Sequence, residues 1–142
     1  MKYFRLFLIL LVVAGCSNNK EVSDQVIFEN GEHKKLENFI TFIKDTRAGK
    51  AAALEIIINV SPNAITHHLK SDNETLTYEG AASKESVSCE RIAVYDFAPT
   101  YVSYNVTGCE GKQEEIELLK TTRRELKEAE EKAGVSIELN KE

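Results

Sequence analysis

His67 and His68 stand side by side, and His33 is the third histidine of the 142-residue chain. Imidazoles of this kind could serve a zinc site, which needs three or four convergent ligands. The local pattern argues otherwise. Ile65, His67 and Leu69 alternate with Thr66, His68 and Lys70, and neighbours on a strand point to opposite faces. His67 is expected on the apolar face as a hydrogen-bonded, partly buried side chain, and His68 in solvent. No metal and no cofactor is assigned. Glu114, Glu115 and Glu117 could supply paired carboxylates, but at the start of a helix they read as a solvated face suited to the dipole. None of Ser83, Ser86, Ser88 and Ser103 lies in a Gly-x-Ser-x-Gly or Ser-x-x-Lys setting. Glu79-Gly80-Ala81 leads to no phosphate-cradling Gly-Lys-Ser. No catalytic residue is assigned.

Cysteine chemistry is better specified. Val13-Ala14-Gly15-Cys16 follows a basic start (Lys2, Arg5) and the apolar run Leu6 to Val13. A basic n-region, a short apolar core and small residues before a cut mark an export signal. Cys directly after the small pair resembles a bacterial lipobox. The resemblance implies cleavage before Cys16 and a diacylglycerol, with palmitate-type chains, on its thiol. Leu6 to Gly15 is ten residues, against the roughly 20 a spanning helix needs, so residues 1–15 read as a signal peptide, helical in the precursor. Each buried CH₂ contributes about 0.8 kcal/mol, and two acyl chains anchor stably. Cys16 would then hold the chain on the outer face of the cell membrane. Three cysteines leave one odd in an exported protein. With Cys16 lipidated, Cys89 and Cys109 remain, and an oxidising compartment favours a disulfide between them. Two free thiols or a redox couple is the alternative, without a Cys-x-x-Cys motif.

Loss of Lys2 and Arg5 with the signal leaves 16 Lys+Arg against 23 Asp+Glu, a net charge of −7 in place of −5. An acidic domain is repelled by an anionic surface. This argues against nucleic-acid or headgroup binding, both of which want a basic patch. Asn59-Val60-Ser61, Asn73-Glu74-Thr75 and Asn105-Val106-Thr107 match the glycosylation pattern, which is discounted in a bacterial lipoprotein.

These residues need elements to position them. Residues 16–25 read as the lipidated Cys and a polar tether, and 26–142 as one domain. Val26-Ile27-Phe28 is an edge strand or a packed extended segment, ended by the Asn30-Gly31 turn. Lys34 to Ala48 reads as a helix, with Leu36, Phe39, Ile40 and Ile43 on one stripe, Phe42 widening it and Gly49 past its end. No Ser, Thr or Asp caps its start. Leu54 to Val60 suits a central strand, covered on both sides or packed under a helix. Ala64 to Lys70 and Glu74 to Glu79 are antiparallel strands about a Ser71-Asp72-Asn73 turn, and Gly80 to Glu85 is a loop. Glu90 to Phe97 and Thr100 to Thr107 form a hairpin around Ala98-Pro99-Thr100. A register in which paired numbers sum to 198 sets Ile92 against Val106, Val94 against Tyr104, Tyr95 against Ser103, Phe97 against Tyr101 and Cys89 against Cys109. Gly111 to Ala133 reads as a long charged helix with Ile116, Leu119, Leu126, Ala129 and Ala133 in a thin stripe. Glu128 and Lys132 are spaced for an ion pair, and Gly134 ends it. Val135 to Leu139 is a fringe strand or a frayed tail. The expected fold is α+β: one N-terminal amphipathic helix on an antiparallel meander of four or five strands, plus the long C-terminal helix.

The Asn30-Gly31 turn before the helix, Leu36-Glu37-Asn38-Phe39-Ile40, the apolar strand after Gly49-Lys50 and the Cys89 to Thr107-Gly108-Cys109 hairpin resemble a family of small lipoproteins from Bacillus-type Gram-positive bacteria. The resemblance covers roughly residues 22 to 112. It implies a similar size and layout and brings no catalytic residues. The Glu/Lys-rich stretch after Gly111 is longer than the family pattern. The expected function is a membrane-anchored, extracytoplasmic, non-enzymatic interaction module, with Tyr95, Phe97 and Tyr101 as a contact patch for an envelope protein or ligand. The same aromatics could instead lie under a helix, and an envelope enzyme assembled from scattered acids and His is the alternative function.

Overall fold

Asn30 and Gly31 both take positive φ, 54° and 81°, a conformation Asn and Gly tolerate best and a two-residue hairpin requires. The chain doubles back there. β1 (Asp24–Glu29) pairs antiparallel with β2 (Glu32–Lys34), Glu29 opposite Glu32. The computed structural model describes residues 23–83, 85–97 and 99–137. The signal segment 1–15, Cys16, most of the expected tether, Ala98 and the Glu138-Leu139 end of the expected fringe strand lie outside them.

β1 is not an edge. Its other side pairs in parallel with β3 (Ala52–Val60), Asp24 opposite Leu54 and Phe28 opposite Ile58. β1 takes in Asp24 and Gln25, the last two residues of the stretch read as tether. Parallel neighbours need a crossover, and α1 (Leu36–Arg47) supplies it, burying Leu36, Phe39, Ile40, Phe42 and Ile43. Lys35 caps the helix in the left-handed region without a side-chain hydrogen bond, as the uncapped sequence implies. β3 lies under this helix, with Leu54 and Ile56 buried. Its other face carries Glu55, whose Oε2 accepts from Gln25 Nε2 at 2.8 Å. β4 (Asn63–Asp72), β5 (Thr75–Glu79) and β6 (Val87–Cys89) continue antiparallel and complete the order β2-β1-β3-β4-β5-β6.

The second sheet is antiparallel, with order β7 (Arg91–Phe97), β8 (Tyr101–Thr107), β9 (Ile116–Thr122). Here the expected fold is corrected. Strand predominates, in a six-stranded mixed sheet and a separate three-stranded sheet; the meander of four or five strands does not form. The long helix from Gly111 does not form either. Ile116–Thr122 is strand, and α2 spans only Arg123–Ala133. The reason is a bulge. Tyr104 faces Leu119 and Asn105 faces Glu117, so Leu118 is an extra residue on β9. Leu118 and Leu119 are both buried, at 0% and 5% exposure. Two adjacent buried leucines erase the period-two signature and, with Ile116 three residues before Leu119, imitate a helical stripe.

α2 begins at a capping box. Thr122 accepts from the Glu125 N–H, and the Glu125 carboxylate accepts from the Thr122 N–H. It ends at Gly134, φ 63°. Glu128 sits beside Arg124 at 3.9 Å, in place of the expected Lys132 pair. Leu126 and Ala129 are buried, and α2 packs on α1. Ile137 also enters the core, so the described part of the C-terminal segment is packed. One hydrophobic cluster unites the helix face of the first sheet, both helices and Val102, Tyr104, Val106, Leu118 and Leu119 of the second. Phe39 meets Tyr104 edge to face, centroids 4.8 Å apart.

Candidate functional site

The β7–β8 hairpin follows the expected register throughout. Arg91 faces Thr107, Ile92 faces Val106, Val94 faces Tyr104, Tyr95 faces Ser103 and Phe97 faces Tyr101. Cys89 and Cys109 are disulfide-bonded, Cα atoms 3.9 Å apart. Their placement is more consequential than a hairpin staple. Cys89 ends β6 in the first sheet, and Cys109 follows β8 in the second. Only Glu90 separates β6 from β7, so the bridge clamps the joint between the sheets. Glu110 N–H to Ser88 O at 2.9 Å and Glu90 N–H to Thr107 O at 3.0 Å reinforce it.

Alternation along this hairpin turns Ile92 and Val94 toward the core and Tyr95 and Phe97 away from it. The structure brings Tyr95, Phe97 and Tyr101 together on that outer face, at 38%, 56% and 44% exposure. They do not lie under a helix. Lys120, opposite Ser103 on β9, sets its ammonium 5.1 Å from the Tyr101 ring and 5.8 Å from Phe97, within cation–π range. Tyr95 Oη donates to Glu115 Oε1 at 2.6 Å. Ser103, nearly buried, lies 2.9 Å from both Asn105 Oδ1 and Glu117 Oε2. Its single hydroxyl hydrogen serves one of these acceptors at a time. Glu115 and Glu117, expected on a helix, are thus partners of the outer sheet face.

The other side of β7 borders a groove of about 890 Å³. Its walls are the end of α1 (Ile43, Thr46, Arg47), the β4–β5 hairpin (Ser71 to Leu76, Asp72 aside) and Glu90 to Asp96. Thr46 Oγ1 is buried beside it with no hydrogen-bond partner among the described residues. Sequence reasoning missed this groove, because its walls come from elements distant in the chain.

The histidines do not converge. His67 Nδ1 is 2.8 Å from Tyr78 Oη and stacks on that ring. Burial, with the neighbouring His68, pushes His67 below the ordinary imidazole range. His68 lies on the opposite face, 3.4 Å from Glu55. His33 packs on Phe28 and is 3.4 Å from Glu125 Oε1. Among the described residues no three His, Cys, Asp or Glu side chains are placed to hold a metal. Glu125 is the most perturbed carboxylate. Burial raises its pKa, but the Thr122 N–H and hydroxyl and His33 outweigh this and hold it at about 2. The signal for this cap, Thr122-x-x-Glu125, is present in the sequence and marks where α2 starts. Burial also pushes up Tyr104, whose hydroxyl has no partner among the described residues.

Compared with known proteins, the chain matches no family model, no curated protein and no solved structure.

Proposed function

We propose that this chain is an extracytoplasmic interaction module, held on the outer face of a Gram-positive-type cell membrane by a diacylglycerol on Cys16 and akin to the small Bacillus-type lipoproteins it resembles. Its contact surface is the aromatic face of the β7–β8 hairpin, and its partner is an envelope protein or ligand and not nucleic acid. The observation that supports the reading is the display of Tyr95, Phe97 and Tyr101 side by side, each more than a third exposed. A large aromatic ring buries roughly 200 Å², worth about 25 cal/mol per Å². Leaving half of each ring in water forgoes roughly 2 kcal/mol per ring, which a partner recovers on docking. Aromatic anchors of this kind carry much of the energy of protein interfaces. The net charge of −7 after loss of the signal fits the absence of a nucleic-acid partner.

The test compares the wild-type chain with a Phe97→Ser/Tyr101→Ser variant in crosslinking on intact cells. Both positions are exposed, so far-UV circular dichroism should be unchanged. The variant should lose a crosslinked envelope species that the wild type retains. Identical crosslinked species for both chains would show that this face is not the contact. Cys16→Ser should separately release the chain from the membrane fraction and remove the diacylglycerol mass.

A further inference from the structure

Among the described residues β9 pairs with β8 alone, and residues 116–121 make no backbone hydrogen bond outside that ladder. β2 and β6, the ends of the first sheet, are three residues each, and short edges resist association. β9 has seven residues and neither Pro nor Gly. An unpaired edge of that length is a template for another strand.

Charge along β9 is graded. Glu114, Glu115 and Glu117 lie at its start, and Lys120, Arg123 and Arg124 at its end. Part of this charge is spent within the chain. Arg123 is held by Asp96, Arg124 lies 3.9 Å from Glu128, and Glu115 accepts from the Tyr95 hydroxyl and the Asn105 amide. Lys112, just before the acidic end, sits over the Tyr78 ring. Glu117 meets only the Ser103 hydroxyl, and Lys120 only the Tyr101 and Phe97 rings. Both are exposed, and neither has an ion-pair partner among the described residues. A second β9 laid antiparallel sets the acidic start of each copy against the basic end of the other. A parallel one sets like against like.

The bulge makes one register consistent. Across β8, Glu117 faces Asn105 and Lys120 faces Ser103, both on the outer side of the hairpin. Glu117 and Lys120 therefore share a face and an edge orientation, which residues three apart on a regular strand do not. Ile116 and Thr121 share the inner face in the same way, opposite Val106 and Val102. A two-fold axis between Leu118 and Leu119 then pairs Glu117 with Lys120 of the second copy and Ile116 with its Thr121. The extra residue of one copy meets that of the other, and no residue is left unopposed.

We propose that two copies of this chain associate through β9, antiparallel and two-fold symmetric, with Glu117 of each opposite Lys120 of the other. The two three-stranded sheets become one of six strands, with both aromatic faces on the same side. The proposal goes beyond the aromatic contact surface and does not depend on it. One strand-to-strand contact is smaller than a standard interface, so the dimer is a weak one.

The experiment is sedimentation equilibrium of the full chain in density-matched detergent. Wild type should dimerise with a Kd below about 1 mM. Glu117→Lys sets Lys against Lys120, and Lys120→Glu sets Glu against Glu117. Either variant alone, altered only at an exposed position, should dimerise about tenfold or more weakly than wild type. An equal mixture of the two should regain the wild-type affinity, because every Lys then meets a Glu. A damaged fold could not be repaired by mixing. Hydrogen exchange in residues 116–121 should slow as wild type is concentrated. A wild-type chain that stays monomeric at about 1 mM, or protection confined to other residues, would overturn the interface. Either variant associating as well as wild type, or a mixture no stronger than its components, would overturn the register and the proposal with it.

Discussion

Glu125→Gln should weaken the fold at neutral pH and leave it nearly unchanged in acid. The carboxylate accepts from Thr122 N–H at 3.0 Å, Thr122 Oγ1 at 2.9 Å and Thr121 Oγ1 at 3.2 Å, and His33 lies at 3.4 Å. Its pKa falls from 4.5 to about 2. A shift of that size converts to roughly 3 kcal/mol at about 1.4 kcal/mol per unit. The side chain keeps 23% of its surface in water, so screening reduces this to about 1–2 kcal/mol. Loss of a helix cap costs a similar 0.5–2 kcal/mol or so. Gln keeps an acceptor for the Thr122 N–H and removes only the charge. The sign follows from the direction of the shift. A carboxyl whose pKa is depressed in the folded state contributes its full stability above pH 4.5 and loses it as pH falls toward 2. Urea titration followed by circular dichroism suits a chain without Trp. With a slope of about 2 kcal/mol/M, the variant's midpoint at pH 7 should lie roughly 0.5–1 M below wild type, and the gap should close by about pH 2.5. A gap of the same size at both pH values would refute the argument, because the cap would then be reading shape and not charge.

Two further outcomes follow from the same structure. Replacing Cys89 and Cys109 by Ser opens a loop of 20 residues, which the chain-entropy model values at about 3 kcal/mol; reduction should lower the wild-type urea midpoint to that of the variant and leave the variant unmoved. Leu118→Ala, at a fully buried bulge position, should cost about 2–5 kcal/mol, whereas a solvent-facing helical residue there would cost well under 1 kcal/mol; thermal melts of the variant separate the two.

The β7–β8 hairpin was legible because three independent signals agreed on one register: alternation, a Pro-containing loop and two cysteines equidistant from it. The first helix was legible for a similar reason, its stripe being uninterrupted. β9 was not, since the Leu118 bulge replaced alternation with a Leu-Leu pair that fits either period. The start of α2 was written plainly in Thr122-x-x-Glu125, but it was masked by a charged stretch that suits a helix from Gly111 onward. The parallel pairing of β1 with β3 leaves no local trace, because the two strands are joined by a hairpin strand and a helix and share no turn. The aromatic face of the candidate site came from the period-two pattern of one hairpin. The groove behind it came from three elements that only the fold brings together.

The position of β1 bears on how this molecule carries load. A pull applied at residue 23 acts along the axis of β1, which is held by β2 on one side and by β3 on the other. The parallel ladder from Asp24 to Phe28 is then stressed in shear, so its hydrogen bonds must yield together and not peel one after another. Forced unfolding is governed by the rate of crossing that barrier and not by equilibrium stability. A chain tethered from its N-terminal side would thus resist extraction more than its denaturation midpoint suggests, whereas a pull at residue 137 would first meet α2, which can unravel turn by turn.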